Sequence, residues 1–283
     1  MPARPPKANL ADIGRRAGPE VFAYDQRDVG LYALSVGAGV EDLGLFAGGG
    51  DGGMRVLPTF CLVAMHSLSP HFEDLVRDYH RVEAGEHLRM ERPLPAAGRL
   101  HVSAEVTDIW DKGSLAIMRT RVEGRSDDGD RIFELTASSA MLGSGGFGGD
   151  PGPPSPAKRR APDRPPDLRW STTIPETQAI LYQLNGVTDP IHLEGEFARS
   201  RGFERPILQG PATLGFAAVA LVREFCGGNP ERLTEIEVRF SAPVVPGDGL
   251  TVDAWQVGGG EVLFSASTGE LPVLTQGRAV IDG

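Results

Sequence analysis

From Leu100 the chain alternates apolar and polar side chains, with His101 and Ser103 set between Leu100, Val102 and Ala104. A period of two predicts a half-buried strand. The pattern returns at Leu250, Val252 and Ala254, and a Pro/Gly turn leads into each copy, from Pro93 to Gly98 and from Pro243 to Gly249. The copies align without a gap at a constant offset of 150, which also sets Arg89 on Arg239. Further strands are predicted at 114–122 and 131–141 in the first half, and at 261–266 and 278–281 in the second. Ahead of its strands each half carries an apolar stretch, Pro58–Met65 and Pro211–Leu221. A helix that is apolar nearly all round is a buried helix.

A buried helix wrapped by antiparallel sheet, made twice, predicts an α+β fold. This is a double hotdog, with long buried helices and sheets that pair into one. A doubly wound parallel sheet needs strands alternating with amphipathic helices, and that rhythm is absent. Gly143–Pro156, followed by Lys158–Arg160 and Asp163–Asp167, carries neither period and is read as a linker. The predicted division is a first repeat over 17–143, a linker over 144–169 and a second repeat over 170–283 with the active-site motif.

Composition narrows the class. The 283 residues are 40% hydrophobic, enough for a sizeable core. The 37 glycines and 23 prolines make up about a fifth of the chain, below the ~25–30% typical of low-complexity disorder. Twenty-eight Lys and Arg against 38 Asp and Glu leave a net charge of −10, which argues against a general binder of phosphate backbones. Cys61 and Cys226 form no CxxC or Cys/His cluster, so neither a disulfide framework nor structural zinc is expected. The apolar run Leu214–Val222 is far short of a membrane span. Met1–Lys7 leads into no secretion signal and Val280–Gly283 is no peroxisomal address, so a cytoplasmic protein is expected.

Two G-x-G-x-x-G matches, Gly48–Gly53 and Gly143–Gly148, do not open a helix after a strand and are read as plain loops. G-x-S-x-G, H-E-x-x-H and Walker sequences are absent. The informative stretches are Tyr182–His192 and Phe203–Phe216. Asp189 and His192 flank Pro190-Ile191, where proline disfavours a regular helix or central strand. A turn there can hold carboxylate and imidazole side by side for acid–base work. It equally suits an aspartate that caps a turn and a hydrogen-bonded structural histidine. Gly210-Pro211 opens the second apolar stretch, and the Gly210 N–H is either an oxyanion donor at a helix N-terminus or part of a tight turn.

The chain resembles the (R)-specific 2-enoyl-CoA hydratases, or hydratase 2, of the MaoC-like family, in the two-hotdog form found in peroxisomal multifunctional enzyme type 2. In the first half the resemblance rests on Leu31–Ala38, Leu57–Phe60, Arg92–Pro95, Asp111–Ser114 and Gly143–Gly149. It continues through Arg164–Asp167, Tyr182–His192, Gly202-Phe203, Pro206–Leu208 and Val238–Phe240. It implies addition of water to a trans-2-enoyl thioester, or its removal from an (R)-3-hydroxyacyl thioester, without metal or redox cofactor. CoA or phosphopantetheine enters only as part of the substrate. By resemblance to G-D-x-N-P-L-H and P-I-L-H-G, His192 is the acid–base histidine, Gly210 the oxyanion donor, and Tyr182 and Tyr32 pocket residues.

The pattern also departs from the family. Val187 stands where the family has its catalytic aspartate, Asp189 where it has asparagine, and Gln209 where a histidine precedes the oxyanion glycine. A first-half pocket glutamate falls on Gly49, and L-H-G-E-Q reads Glu83–His87. Three functions follow. The first is a hydratase or dehydratase in which Asp189 takes over the carboxylate role. The second is a scaffold redirected to intramolecular conjugate addition, elimination or isomerisation of a natural-product intermediate. The third is a non-catalytic acyl-binding hotdog. The expected partner is an acyl thioester or related small molecule, with no nucleic acid and no membrane, and monomer and homodimer both fit.

Overall fold

The computed structural model describes residues 5–46, 53–154 and 158–283. Among them ten strands form one antiparallel sheet. The first half supplies β1 (Arg16–Tyr24), β2 (Arg81–Met90), β3 (Gly98–Asp111), β4 (Leu115–Arg125) and β5 (Arg131–Leu142). The second supplies β6 (Leu168–Thr173), β7 (Leu233–Phe240), β8 (Gly249–Gly258), β9 (Glu261–Thr268) and β10 (Leu271–Ile281). The strand order is β1-β3-β4-β5-β2-β7-β10-β9-β8-β6, so the second repeat runs through the order of the first in reverse and the two meet at β2–β7.

The register displays the duplication. Phe22 of β1 lies opposite Leu100, and Thr172 of β6 lies opposite Leu250. At the seam His87 faces Glu237, the residue that the offset of 150 sets on it, so an approximate two-fold axis runs between these two. Across the seam His87 Nε2 meets Glu235 Oε1 at 2.8 Å, and that oxygen also accepts from Arg278 Nη1 at 2.5 Å. β10 is longer than its predicted final residues. Gln276 has a left-handed φ of 58°, and the pairing slips around it, which hides the alternation.

The helices are α1 (Gln26–Ser35), α2 (Cys61–Ala64), α3 (Glu73–Asp78), α4 (Gln178–Gln183), α5 (Gly195–Ser200) and α6 (Gly210–Phe225). α6 is the core element, and every residue from Pro211 to Val222 is buried. It ends where Gly227 and Gly228 turn left-handed and Gly228 N–H donates to the Val222 carbonyl at 3.0 Å. Its counterpart in the first half corrects the expectation of two long buried helices. Pro58–Ala64 is fully buried, but it is a single 3-10 turn followed by α2, and Met65–Phe72 continues as 3-10 helix before α3. Pro70 lacks an amide donor, and the Ser67 hydroxyl donates to the Ala64 carbonyl, so a continuous α-helix is interrupted there.

Within the stretch read as linker, residues 143–154 form neither helix nor strand, and they are anchored. Asp111 Oδ1 accepts from Gly113 and Gly146 N–H and Oδ2 from Gly148 N–H, at 2.7–2.9 Å. These amides hold the carboxyl down at about 2. β1 starts at Arg16, and β6 at Leu168, inside the stretch read as linker. Of the other glycine-rich match only Gly53 lies within the described residues, and Gly49 lies outside them. No helix among the described residues is long and apolar enough to cross a membrane.

α1 and α4 pack on each other and carry Tyr32 and Tyr182. Asp25 caps α1 by accepting from Arg27 and Asp28 N–H. Gln178 Nε2 donates to the Leu34 carbonyl, and Asn185 Nδ2 to Ser35 Oγ, each at 3.0 Å. Gly215 of α6 lies under α1, where an added Cβ would sit 2.6 Å from Val36 Cβ and 3.3 Å from the Tyr32 hydroxyl. Alanine there gains ~1 kcal/mol of helix propensity but overpacks the fully buried Val36, at ~1–3 kcal/mol. Gly215→Ala is therefore expected to lower stability by up to ~2 kcal/mol in chemical denaturation, and a stabilised variant would contradict this packing.

Candidate active site

The chain leaves α4 through Gly186, whose φ of 98° turns it towards the Asp189–His192 stretch. Asp189 caps a 3-10 turn over Pro190–His192, with Oδ1 accepting from Ile191 N–H at 3.0 Å. Two bonds strap this turn to the segment ahead of α6. Ile207 N–H donates to the Ile191 carbonyl at 3.4 Å, and His192 Nδ1 lies 2.9 Å from the Ile207 carbonyl. A carbonyl only accepts, so Nδ1 carries the proton and Nε2 the lone pair. Burial lowers the proton affinity of His192 below the ordinary histidine value, although the Ile207 carbonyl and Asp189 pull the other way. The imidazole is thus a neutral base close to the start of α6.

Gly210 is the first residue of α6, with Gln209 as N-cap and Pro211 next in the first turn. The carboxyl group of Glu83 on β2 lies against Gly210, and the Gly210 amide lowers the proton affinity of that carboxyl. The contact is close enough that a Cβ on Gly210 would collide with Glu83 Oε2. A bulge aims Glu83 this way. Opposite β5, Glu83 faces Ser139 and Gly85 faces Ser138, so Ala84 is an extra residue. Beyond a bulge the alternation resumes one residue late. Glu83 and the buried Glu86 and Leu88 therefore share the inner face of β2. Gly85 fits the bulge because a Cβ there would lie 2.7 Å from the Val238 carbonyl oxygen.

Charge is concentrated around that carboxyl. As a residue Glu83 is open to solvent, whereas its carboxyl end is pressed against α6. Loss of water lifts its proton affinity, Arg81 lowers it, Asp189 raises it and the Gly210 amide lowers it, leaving it at about 7. Burial and the neighbouring Glu83 push Glu86 well above the carboxylate range, and its Oε2 has no partner among the described residues. Arg81 donates to Ser139 Oγ at 3.1 Å. From the Met65–Phe72 segment His66 approaches His192, and loss of water together with that neighbour brings it down to about 4.

The tyrosines close the other side. Tyr32 and Tyr182 are almost fully buried with ring centroids 6.2 Å apart. Burial raises the Tyr182 phenol, followed by the charges of Tyr32, Glu86 and Glu83. Neither hydroxyl has a hydrogen-bond partner by geometry among the described residues. Val187 is buried in the core and offers no proton. Gln209 is buried and donates from Nε2 to the Ala179 carbonyl at 3.1 Å, strapping α6 to α4.

Asp189 and His192 thus share one turn strapped to the segment that leads into Gln209 and Gly210, and Tyr32 packs on Tyr182 with its hydroxyl close to Gly215 of α6. Sequence reasoning missed Arg81, Glu83, Glu86 and His66, all from the first half. Their one visible signal was the departure of Glu83–His87 from L-H-G-E-Q, which replaces an apolar residue by a carboxylate.

Comparisons with known proteins give the same picture of the whole chain. The MaoC like domain pattern matches residues 157–276, and the MFE-2 hydratase 2 N-terminal domain matches 22–143. The chain is 36% identical over 258 residues to 3-hydroxyacyl-thioester dehydratase Y of Mycobacterium tuberculosis, covering 89% of each. It is 32% identical over 262 residues to peroxisomal multifunctional enzyme type 2 of Drosophila melanogaster, covering 88% of this chain but 44% of that longer protein. The crystal structure of a MaoC-like dehydratase from Phytophthora capsici superposes with a TM-score of 0.84 at 28% identity, covering 97% of this chain and 98% of the other. The chain belongs to the MaoC-like hydratase 2 family, in its double-hotdog form.

Proposed function

We propose that this protein is a hydratase/dehydratase of trans-2-enoyl and (R)-3-hydroxyacyl thioesters carried on CoA or a carrier protein. The observation that carries this reading is a neutral imidazole of fixed tautomer, held on the Ile207 carbonyl three residues ahead of the amide that opens a buried helix. The thioester oxygen binds at the Gly210 N–H, where the positive end of α6 meets the charge that develops during reaction. His192 Nε2 takes a proton from water as the oxygen adds to C3, and the π electrons move through C2 to the thioester oxygen. Delivery of one proton to C2 collapses the enolate, and release of one from the imidazolium restores the neutral histidine, so one water is added in all; dehydration runs the same path backwards.

Asp189 supports the imidazolium as it forms, since its charge already pulls the proton affinity of His192 upwards. Its Oδ1 is engaged by the Ile191 amide, which suits a positioning residue. Val187 makes one wall apolar and supplies no acid or base. The gathering of titratable groups at one helix end speaks against a merely acyl-holding protein.

Wild-type protein is expected to consume the conjugated double bond of crotonyl-CoA, followed by absorbance. His192→Ala is expected to lower kcat by ~10²–10⁴-fold with its thermal unfolding unchanged. A variant that keeps wild-type kcat would remove the histidine from the mechanism. The competent form of His192 is neutral and its folded-state pKa is lowered, so activity is kept above that lowered value and lost as pH falls through it. The acid limb of kcat/KM is therefore expected below ~6.5, the ordinary histidine value. A limb at or above that value would contradict the assignment.

A further inference from the structure

We infer that Glu83 is a catalytic acid of this reaction, exchanging the proton at C2 of the acyl chain while His192 exchanges the one on water. The inference rests on the hydratase reading above and names a residue to which that reading gives no part. Its basis is geometric. The Glu83 carboxyl lies against Gly210, with Oε2 where a Cβ on that residue would stand, and the Gly210 amide acts on it. A thioester oxygen bound at that amide lies beside this carboxyl. C2 is one bond from the carbon that bears the oxygen, so the carboxyl lies against C2 and the reacting water is left to His192.

The protonated form fits the task. A carboxylate beside the amide would repel the enolate oxygen, whereas a carboxylic acid can donate a proton to it or to C2. Glu83 faces Arg81 and Glu86 on its own strand, Tyr182 of α4, Asp189 of the turn and the amide of α6. Arg81 and the amide favour the carboxylate, while loss of water and Asp189 favour the acid, and the balance at about 7 leaves both forms accessible near neutrality.

In hydration the C3–O bond forms as His192 Nε2 takes a proton from water and the π pair moves through C2 to the thioester oxygen. The enolate then takes the Glu83 proton at C2. The imidazolium and the Glu83 carboxylate that result are reset by moving one proton from His192 to Glu83, directly or through solvent. The net change is one water added.

The test is crotonyl-CoA turnover against pH by wild type, Glu83→Gln and Glu83→Leu, with thermal melts. Leucine is the residue that the family pattern carries at this place, which guards against a variant that fails to fold. Hydration needs Glu83 protonated, so wild type is expected to lose activity as pH rises through ~7. Both variants are expected to lose ~100-fold or more in kcat, with KM within about threefold, and to lose that basic limb. Glu83→Asp is expected to keep the limb at reduced rate. Wild-type kcat with an unchanged limb in either neutral variant would overturn the inference while leaving the hydratase reading standing. A rise in rate would do the same, showing the carboxylate to be only a competitor for the amide. Wild-type protein that binds crotonyl-CoA without turning it over would remove both.

Discussion

The burial of α6 is the constraint on which the rest of the molecule depends. A helix apolar on every side has to be covered on every side, and one five-stranded repeat cannot close around it. Leu214, Phe216 and Leu221 belong to one core with Phe60, Leu88 and Phe133 of the first half and Ile236, Leu250 and Phe264 of the second. Such a helix necessarily starts inside the protein. Its first amides must be answered there, because a buried unpaired N–H is costly. Pro211 removes one of them, and the Glu83 carboxyl lies against Gly210, the first residue of the helix.

That solution has an electrostatic consequence. Glu83, Glu86 and Asp189 gather where Arg81 is the nearby permanent cation, and the two histidines are kept neutral. Pure stability would favour apolar side chains at such positions, since each carboxyl stripped of water gives up hydration that its neighbours only partly replace. A protein that instead keeps acids and bases with displaced proton affinities around a helix start is arranged for proton transfer. The exposed, evenly paired sheet surface offers no comparable setting. There His101 shares a hydrogen bond with Asp127, and Arg169 meets Asp253 in an ordinary surface ion pair.

Much of the fold was legible in the sequence, and the reason is periodicity. Leu100–Ala104 and Leu250–Ala254 alternate cleanly, and the offset between them foretold the two-fold register at His87 and Glu237. Pro211–Leu221 announced a buried helix because no polar residue longer than threonine interrupts it. Pro58–Met65 announced burial just as well but not helical regularity, since Ser67 and Pro70 act further along than the apolar run. The site was legible only where it follows a contiguous motif, Tyr182–His192 and Gln209-Gly210. Asp189 remained two-sided in the sequence, and the structure shows it capping a turn beside the imidazole. Glu83 and Glu86 escaped because a strict alternation places residues three apart on opposite faces, and the extra Ala84 cancels that rule. His66, a lone histidine in an irregular segment, carried no pattern at all.

The β2–β7 seam carries one further meaning. Were the repeats separate chains, each would end in a naked strand, Arg81–Met90 in one and Leu233–Phe240 in the other, with backbone donors and acceptors free to zip onto any similar strand. Joining the repeats by a covalent tether makes each of these edges the obligatory cap of the other at high local concentration. The duplicated gene thus behaves as a permanently assembled dimer whose halves are free to diverge, one keeping the long helix and the other lending acids to its tip.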